Sequence, residues 1–195
     1  MNKPTPITNK EAQEALTLVE QTAQRMRQAL GESAMAEYFL IWGVVWTIGF
    51  LSEALLPNRS GQVWMIGDGL GLLATIWVSW RRASRVRSPQ YAALGRQIGL
   101  FWLGLFFFGA AILWVAAPPT EAQMGLLISL IAMLGYWVMG FWVHSKVLSG
   151  TGVAIAILLL LGYYRLPQWF PWWMAIGGGG GLIGVGWYLR RGRRK

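Results

Sequence analysis

Residues 98–117 read IGLFWLGLFFFGAAILWVAA, twenty consecutive residues without a charged side chain. A transmembrane helix needs about 20 mostly apolar residues, because each residue adds about 1.5 Å and the hydrocarbon core is about 30 Å thick. This stretch therefore predicts a membrane span. Other stretches of similar length and composition occur on both sides of it, so we expect six spans. The six predicted spans are 38–56, 63–80, 98–117, 123–143, 147–164 and 169–189.

Three of the links between these spans are short and contain proline. They are PNRSGQ (57–62), PPTEA (118–122) and RLPQ (165–168). Proline cannot continue a helix, and short links join neighbouring antiparallel helices. We therefore expect an all-α membrane protein whose six helices form three antiparallel hairpins. An N-terminal tail (1–9), a cytoplasmic helix (10–32) and a basic C-terminal tail (190–195) complete the predicted organisation.

Composition excludes several kinds of chemistry. The chain is 55% hydrophobic and only 13% charged, about half the charged share of a soluble domain. It has no cysteine and a single histidine, His144, which excludes disulfides, thiolate ligands and multi-histidine metal sites. No metalloprotease, phosphate-loop or dinucleotide motif is present. We expect no catalytic site, cofactor or metal, and no nucleic-acid partner; whether a small-molecule ligand exists is left open.

Basic residues predict the orientation in the membrane. All but two of the 17 lysines and arginines fall in the N-terminal region, the second and fourth loops and the C-terminal tail. Arg59 and Arg165 lie on the opposite side. Cytoplasmic loops are enriched in lysine and arginine, so both termini are expected to be cytoplasmic. The first ten residues, MNKPTPITNK, lack the apolar region of a secretory signal peptide.

The predicted cytoplasmic helix carries one apolar seam. Thr8 and Glu11 form a capping-box signature, and Gly31 indicates a stop or hinge. Apolar residues recur between them at alternating steps of four and three, as in a coiled-coil heptad. The seam could pack on the protein's own loops, pair with a second copy or another protein, or lie on the bilayer; its mixed charge favours a protein contact. Its residues are Ala12, Leu16, Val19, Ala23, Met26 and Leu30.

Glycines recur at spacings that allow close packing of helices. Small residues four apart let helix backbones approach each other in lipid. The run IGGGGGLIGVG (176–186) predicts either a smooth helical groove that receives a bulky neighbour, which we favour, or an unwound segment beside a cavity. The glycines expected to pack against other helices are Gly67, Gly71, Gly177, Gly181 and Gly184.

Asp68 stands within an apolar stretch, WMIGDGLGLL (64–73), and is a candidate intramembrane polar site. It lies five residues into its span, about 8 Å deep, and Glu53 lies about 5 Å deep in the first span. Acids within spans indicate function by default, here a proton or cation site. The alternative is an ion pair or hydrogen bond with Arg59 or Arg165 that fixes the hairpin, which the shallow depth favours.

The stretch YFLIWGVVWTIGF (38–50), after a polar helix and before paired spans, resembles small uncharacterised bacterial six-span membrane proteins with an N-terminal cytoplasmic helix. The resemblance covers the first two spans and the overall layout. It implies the bacterial cytoplasmic membrane and no particular activity. By size and span count the chain is also similar to the substrate-binding subunits of energy-coupling-factor vitamin transporters. Their binding-site residues have no match here, and the long polar helix is foreign to them.

Together these features favour a non-catalytic protein of the bacterial inner membrane. It would serve as an accessory, scaffold or regulatory subunit whose cytoplasmic helix contacts a protein partner or a second copy. The alternative is a small transporter or a ligand- or ion-binding module that uses Asp68 within the glycine-lined bundle.

Overall fold

The computed structural model describes residues 8–84 and 89–191, and its regular elements are all helical. Residues 1–7 and 192–195 of the predicted tails lie outside the described residues. Two 3-10 turns, Pro57–Arg59 and Pro167–Trp169, connect helices at one end of the bundle. The helices are α1 (Asn9–Leu55), α2 (Ser60–Ala83), α3 (Pro89–Ala116), α4 (Glu121–Trp142), α5 (Lys146–Arg165), α6 (Phe170–Trp173), a π-helical segment (Met174–Gly180) and α7 (Gly181–Arg191).

Five of the helical segments are long and apolar enough to cross a membrane, which indicates a multi-pass membrane protein. They are Met35–Leu55, Pro57–Ala83, Ala92–Ala116, Glu121–Trp142 and Lys146–Arg165. The sixth predicted span corresponds to α6, the π-helical segment and α7. These follow one another without a break but are individually short.

The first helix is longer than the sequence predicts. Gly31 was expected to mark a stop or a hinge. The helix does not stop there, since α1 continues through it and spans 47 residues, about 70 Å. A glycine inside a helix costs only about 1 kcal/mol relative to alanine. Neither a proline nor a capping sequence stands between Gly31 and the first span, so nothing else ends the helix there. The polar N-terminal helix and the first span are therefore one rod.

The two proline-bearing turns share one geometry. Pro57 and Pro167 each stand at the start of a 3-10 turn. The residues before them adopt nearly the same backbone angles, φ −137° and ψ 55° at Leu56 and φ −135° and ψ 50° at Leu166. Because proline fixes its own φ and removes a donor, it both ends the incoming helix and shapes the turn. Each turn leads directly into the next helix.

At the other end of the bundle, α4 turns sharply into α5. His144 adopts a left-handed conformation (φ 54°), and the Ser145 N–H donates to the Gly140 carbonyl over 2.9 Å. This is a Schellman-type helix end. The Ser145 hydroxyl then accepts from the Leu148 N–H at 3.4 Å and caps α5. The resulting α4–α5 pair is extensively packed, a contact that the three predicted hairpins do not include.

The centre of the bundle consists of α1, α4, α5 and the last span. α2 packs on the outside of α1, and α3 packs on the outside of α4. Little of α2 is buried, namely Ser60, Gly71 and Val78. The largest fully buried apolar side chains come from the four central elements; they are Phe39, Phe170, Met133, Met139, Leu148, Leu159, Met174 and Leu182.

Candidate functional site

Glu53, one of the predicted polar residues, lies near the end of α1 and binds a residue of α2. The Trp64 indole N–H donates to Glu53 Oε1 over 2.8 Å. The Trp64 ring also packs edge-on against Phe50, with ring centroids 4.9 Å apart, and covers Gly49. The carboxylate and the ring together attach the two helices beside the Pro57–Arg59 turn. Trp64 was not among the predicted site residues. The sequence could have indicated it, because an indole eleven residues after an acid, across a tight turn, can reach that acid on the neighbouring helix.

Asp68 has a different environment. It is exposed on α2, and no hydrogen bond or ion pair joins its side chain to any residue that the structure describes. Because α2 begins at Ser60, Asp68 lies eight residues along the helix, about 12 Å from its start. This is deeper than the 8 Å expected when the span was taken to begin at residue 63.

The two arginines proposed as partners do not meet either acid. Arg59 stands at the start of α2 and Arg165 at the end of α5; both are exposed, and within the described segments neither makes an ion pair. The four predicted polar residues therefore do not form one cluster of ion pairs. Glu53 is held by Trp64, whereas Asp68 faces outward.

A cavity of about 540 Å³ lies along α3 and not beside Asp68. It is open to the outside. Ligand sites usually combine apolar walls with a few converging polar groups. This cavity has no polar side chain in its lining, so its chemistry matches a lipid-facing helix surface. The lining residues are Leu100, Leu103, Gly104, Phe106, Phe107 and Ala110.

The glycine run forms a π-helical segment that packs closely against α1. A β-carbon built at Gly179 would lie 2.6 Å from Thr47 N and 2.9 Å from Thr47 Cα, and one at Gly43 would lie 2.9 Å from Gly179 O. Thr47 Oγ1 donates to Gly43 O at 2.8 Å and lies 3.4 Å from Ala175 O. The segment thus stays helical, with wider turns than the expected α-helix, and its glycines bring two backbones into contact. π-Helical turns recur at functional sites. The polar side chain that reaches this one from α1 is that of Thr47.

The other predicted packing glycines differ among themselves. Gly67 and Gly71 lie over Val45 of α1, with a built β-carbon 3.5 Å and 3.0 Å from its methyl groups. Gly177 contacts Leu158, and Gly181 contacts Ile155, both on α5. Gly184 is exposed, and no atom lies within 4 Å of its β-carbon position, so the close approach predicted there is absent. Gly184 lies on the outer side of α7, although it is spaced four residues from Gly180.

A second polar link joins α1 and α2 at the other end of the two candidate spans, near Met35 and Ala83. Arg82 donates to both carboxylate oxygens of Glu37, at 2.9 Å and 3.4 Å. One turn away, the hydroxyl groups of Tyr38 and Ser79 are 2.8 Å apart. Sequence reasoning assigned Arg82 only to the positive-inside charge and did not use Glu37. The sequence nevertheless indicated this pair. In any antiparallel pair of spans, an acid at the start of the first span lies beside the basic residues at the end of the second span.

The N-terminal part of α1 does not pack on the bundle over the residues whose exposure the structure gives. Residues 12–19 are all exposed, with Leu16 63% and Val19 65% accessible. The side chains of Ala23, Met26 and Leu30, the last three predicted seam residues, lie outside the described part of the structure. Residues 12–19 therefore do not pack on the protein's own loops.

Across residues 8–84 and 89–191, no three histidine, aspartate or glutamate side chains come close enough to hold a metal ion. The polar pairs described above, Glu53 with Trp64, Glu37 with Arg82 and Tyr38 with Ser79, all join α1 to α2. Comparison of the chain with protein-family models, with curated proteins and with solved structures finds no match.

Proposed function

We propose that the protein is a non-catalytic subunit of the bacterial inner membrane that recruits or regulates a partner through the N-terminal part of α1. The observation that carries this proposal is the exposure of Leu16 and Val19 on a helix continuous with the first span. Scattered exposed leucines are normal on a protein surface. Apolar residues at heptad spacing are instead typical of a surface that pairs with another helix. Leu18, 64% accessible, is the one bulky apolar residue of positions 12–19 that lies off this spacing.

The proposed topology has six spans, arranged as three hairpins, with both termini in the cytoplasm. Five candidate spans and the continuous α6 to α7 region support the count. The excess of basic residues on one side supports the orientation. From Asn9 to Met35, where the first candidate span begins, the helix advances 26 residues, about 39 Å. In the proposed topology this stretch, with Leu16 and Val19, lies on the cytoplasmic side.

The contact made by this helix is a marginal one. The seam covers fewer than three heptads and includes Ala12, so it buries little apolar area. Short helices pair weakly unless other contacts assist them. A weak contact suits a regulated association, in which a partner binds and leaves without unfolding either protein.

A matched pair of charge substitutions tests the contact. Leu16→Glu places a carboxylate in the seam, whereas Gln21→Glu places one on the opposite face, about 140° away around the helix. Leu16→Glu should abolish the association with the partner protein that co-purifies with the wild type, measured by native mass spectrometry from native membranes. Gln21→Glu should leave it unchanged. Equal behaviour of both variants and the wild type would overturn the proposal.

Reporter fusions test the orientation separately. A fluorescent protein fused to the C-terminus should fluoresce, and alkaline phosphatase fused there should be inactive. Phosphatase inserted after Arg59 should be active. The reverse pattern at either position would contradict the proposed topology.

A transport or ion-binding module is the second candidate, and the unpaired position of Asp68 within α2 favours it. Proton and cation paths through membrane proteins usually contain an intramembrane carboxyl group that has no fixed partner. Proteoliposomes that conduct protons or Na⁺ with the wild type, but not with Asp68→Asn, would support this function. Equal leakage from both would exclude it.

A further inference from the structure

We propose that a second copy of this chain packs against the outer half of α2 and that Asp68 of one copy hydrogen-bonds Asp68 of the other. The starting point is the exposure of this carboxyl group about 12 Å along a membrane-crossing helix. Acids inside spans almost always face protein or water and pair with another group. Among the described residues Asp68 has no such group, so its partner comes from outside the single chain.

The surface around Asp68 is open and suited to close approach. Nothing lies within 4 Å of the β-carbon positions of Gly61 and Gly69, which flank it along the helix. Missing side chains at these points let a neighbouring backbone come near, as small residues do at helix contacts in membranes. Only Ser60, Gly71 and Val78 of α2 are buried by the rest of the chain.

Exposed residues of α2 form a seam with heptad spacing. Gly61, Met65, Asp68 and Leu72 follow one another at steps of four, three and four, and all four are exposed. At 100° per residue they fall within about 60° of one another around the helix. Asp68 thus lies in the middle of one exposed face of α2.

A second copy fits this face better than an unrelated helix. Copies inserted in the same direction and related by a two-fold axis normal to the membrane place identical residues at the same depth. The two Asp68 side chains then face each other across the axis. A protonated carboxyl group donates one hydrogen bond and a carboxylate accepts it, so two copies of one acid that share a proton satisfy each other. No cation is needed, which agrees with the lack of a nearby free arginine at this depth in the described residues.

Disulfide cross-linking in native membranes tests the contact, because the chain has no cysteine of its own. Met65→Cys and Leu72→Cys lie on the seam. Ile66→Cys and Leu70→Cys lie about 160° from Asp68 around α2 and are similarly exposed. Mild oxidation should cross-link the first two variants into dimers and leave the second two monomeric. Equal cross-linking on both faces, or none on the seam, would overturn the proposal.

Substitution of the acid tests the hydrogen bond. Asp68→Asn retains a donor and an acceptor and should keep the dimer. Asp68→Leu removes both and should weaken self-association in lipid nanodiscs roughly 3- to 30-fold, the range expected for one such bond between helices in lipid. Leu70→Ala serves as the control on the opposite face. A wild type that is monomeric in nanodiscs, or an Asp68→Leu variant that associates as strongly as the wild type, would exclude a second copy as the occupant.

Discussion

Gly179→Ala should destabilise the protein by about 2 kcal/mol. The added methyl group meets Thr47 N at 2.6 Å and Thr47 Cα at 2.9 Å, and it comes closer still to Thr47 Oγ1. The first two are backbone atoms, so a rotamer change cannot relieve the overlap and the π-helical segment must move away from α1. Overpacking of this kind costs about 1–3 kcal/mol, and we take the upper end. Replacing glycine by alanine in a helix returns about 1 kcal/mol.

Gly184→Ala is the matched control. It lies five residues further along the same region, and no atom lies within 4 Å of its β-carbon position. Only the helix-propensity term applies there, so this variant should be more stable than the wild type by up to about 1 kcal/mol. The difference between the two variants is therefore about 3 kcal/mol.

Thermal unfolding in a mild detergent measures this difference. For a chain of this size each 1 kcal/mol shifts the midpoint by about 2–4 °C, so Gly179→Ala should unfold about 4–8 °C below the wild type. A Gly179→Ala protein as stable as Gly184→Ala would refute the close packing of the π-helical segment on α1. It would also remove the reason for the glycine run.

Further substitutions test the links between α1 and α2 and the α4–α5 turn. A double-mutant cycle with Glu37→Gln and Arg82→Gln, read from thermal unfolding, should give a coupling energy of at most about 1 kcal/mol, because this ion pair is partly exposed; a coupling of several kcal/mol would contradict that reading. Trp64→Phe keeps most of the ring but removes the donor to Glu53, and it should lower the free energy of unfolding by about 1–3 kcal/mol. An unchanged unfolding midpoint would show that the hydrogen bond from the Trp64 indole to Glu53 does not stabilise the protein. His144→Gly should raise stability by up to about 1 kcal/mol, since glycine adopts the left-handed conformation of this position without steric cost; a loss of stability would mean that the imidazole makes a contact that outweighs the relief.

Hydropathy and turn chemistry predicted the elements better than their packing. Residues 98–116 of the predicted span lie within α3, and Ala117 follows its end. The prolines at 57 and 167 start the two 3-10 turns that were expected to be tight links. These features depend on local composition, which the sequence displays directly. The continuity of α1 was missed because a glycine was read as a boundary. Its cost to helix formation, about 1 kcal/mol, is too small to end a helix that the 46 other residues favour.

The environment of Asp68 could not be read from the sequence for a different reason. The depth of a residue follows from counting along a helix, but the face it presents depends on how the helix is rotated against its neighbours. Contacts with Val45 at Gly67 and Gly71 set that rotation, and they turn Asp68 outward. The π-helical segment is likewise a response to the backbone of α1, and no residue periodicity marks it.

The unbroken α1 has a mechanical consequence. A rod anchored in lipid over its C-terminal half moves at its free end whenever the anchored half changes tilt. With about 39 Å of helix beyond Met35, a tilt of about 10° displaces the N-terminal end by about 7 Å. Bilayer thickness alters the tilt of spanning helices. A change in lipid composition around the first span would therefore move Leu16 and Val19, which lie far from it along α1. No ligand needs to bind for this movement to occur.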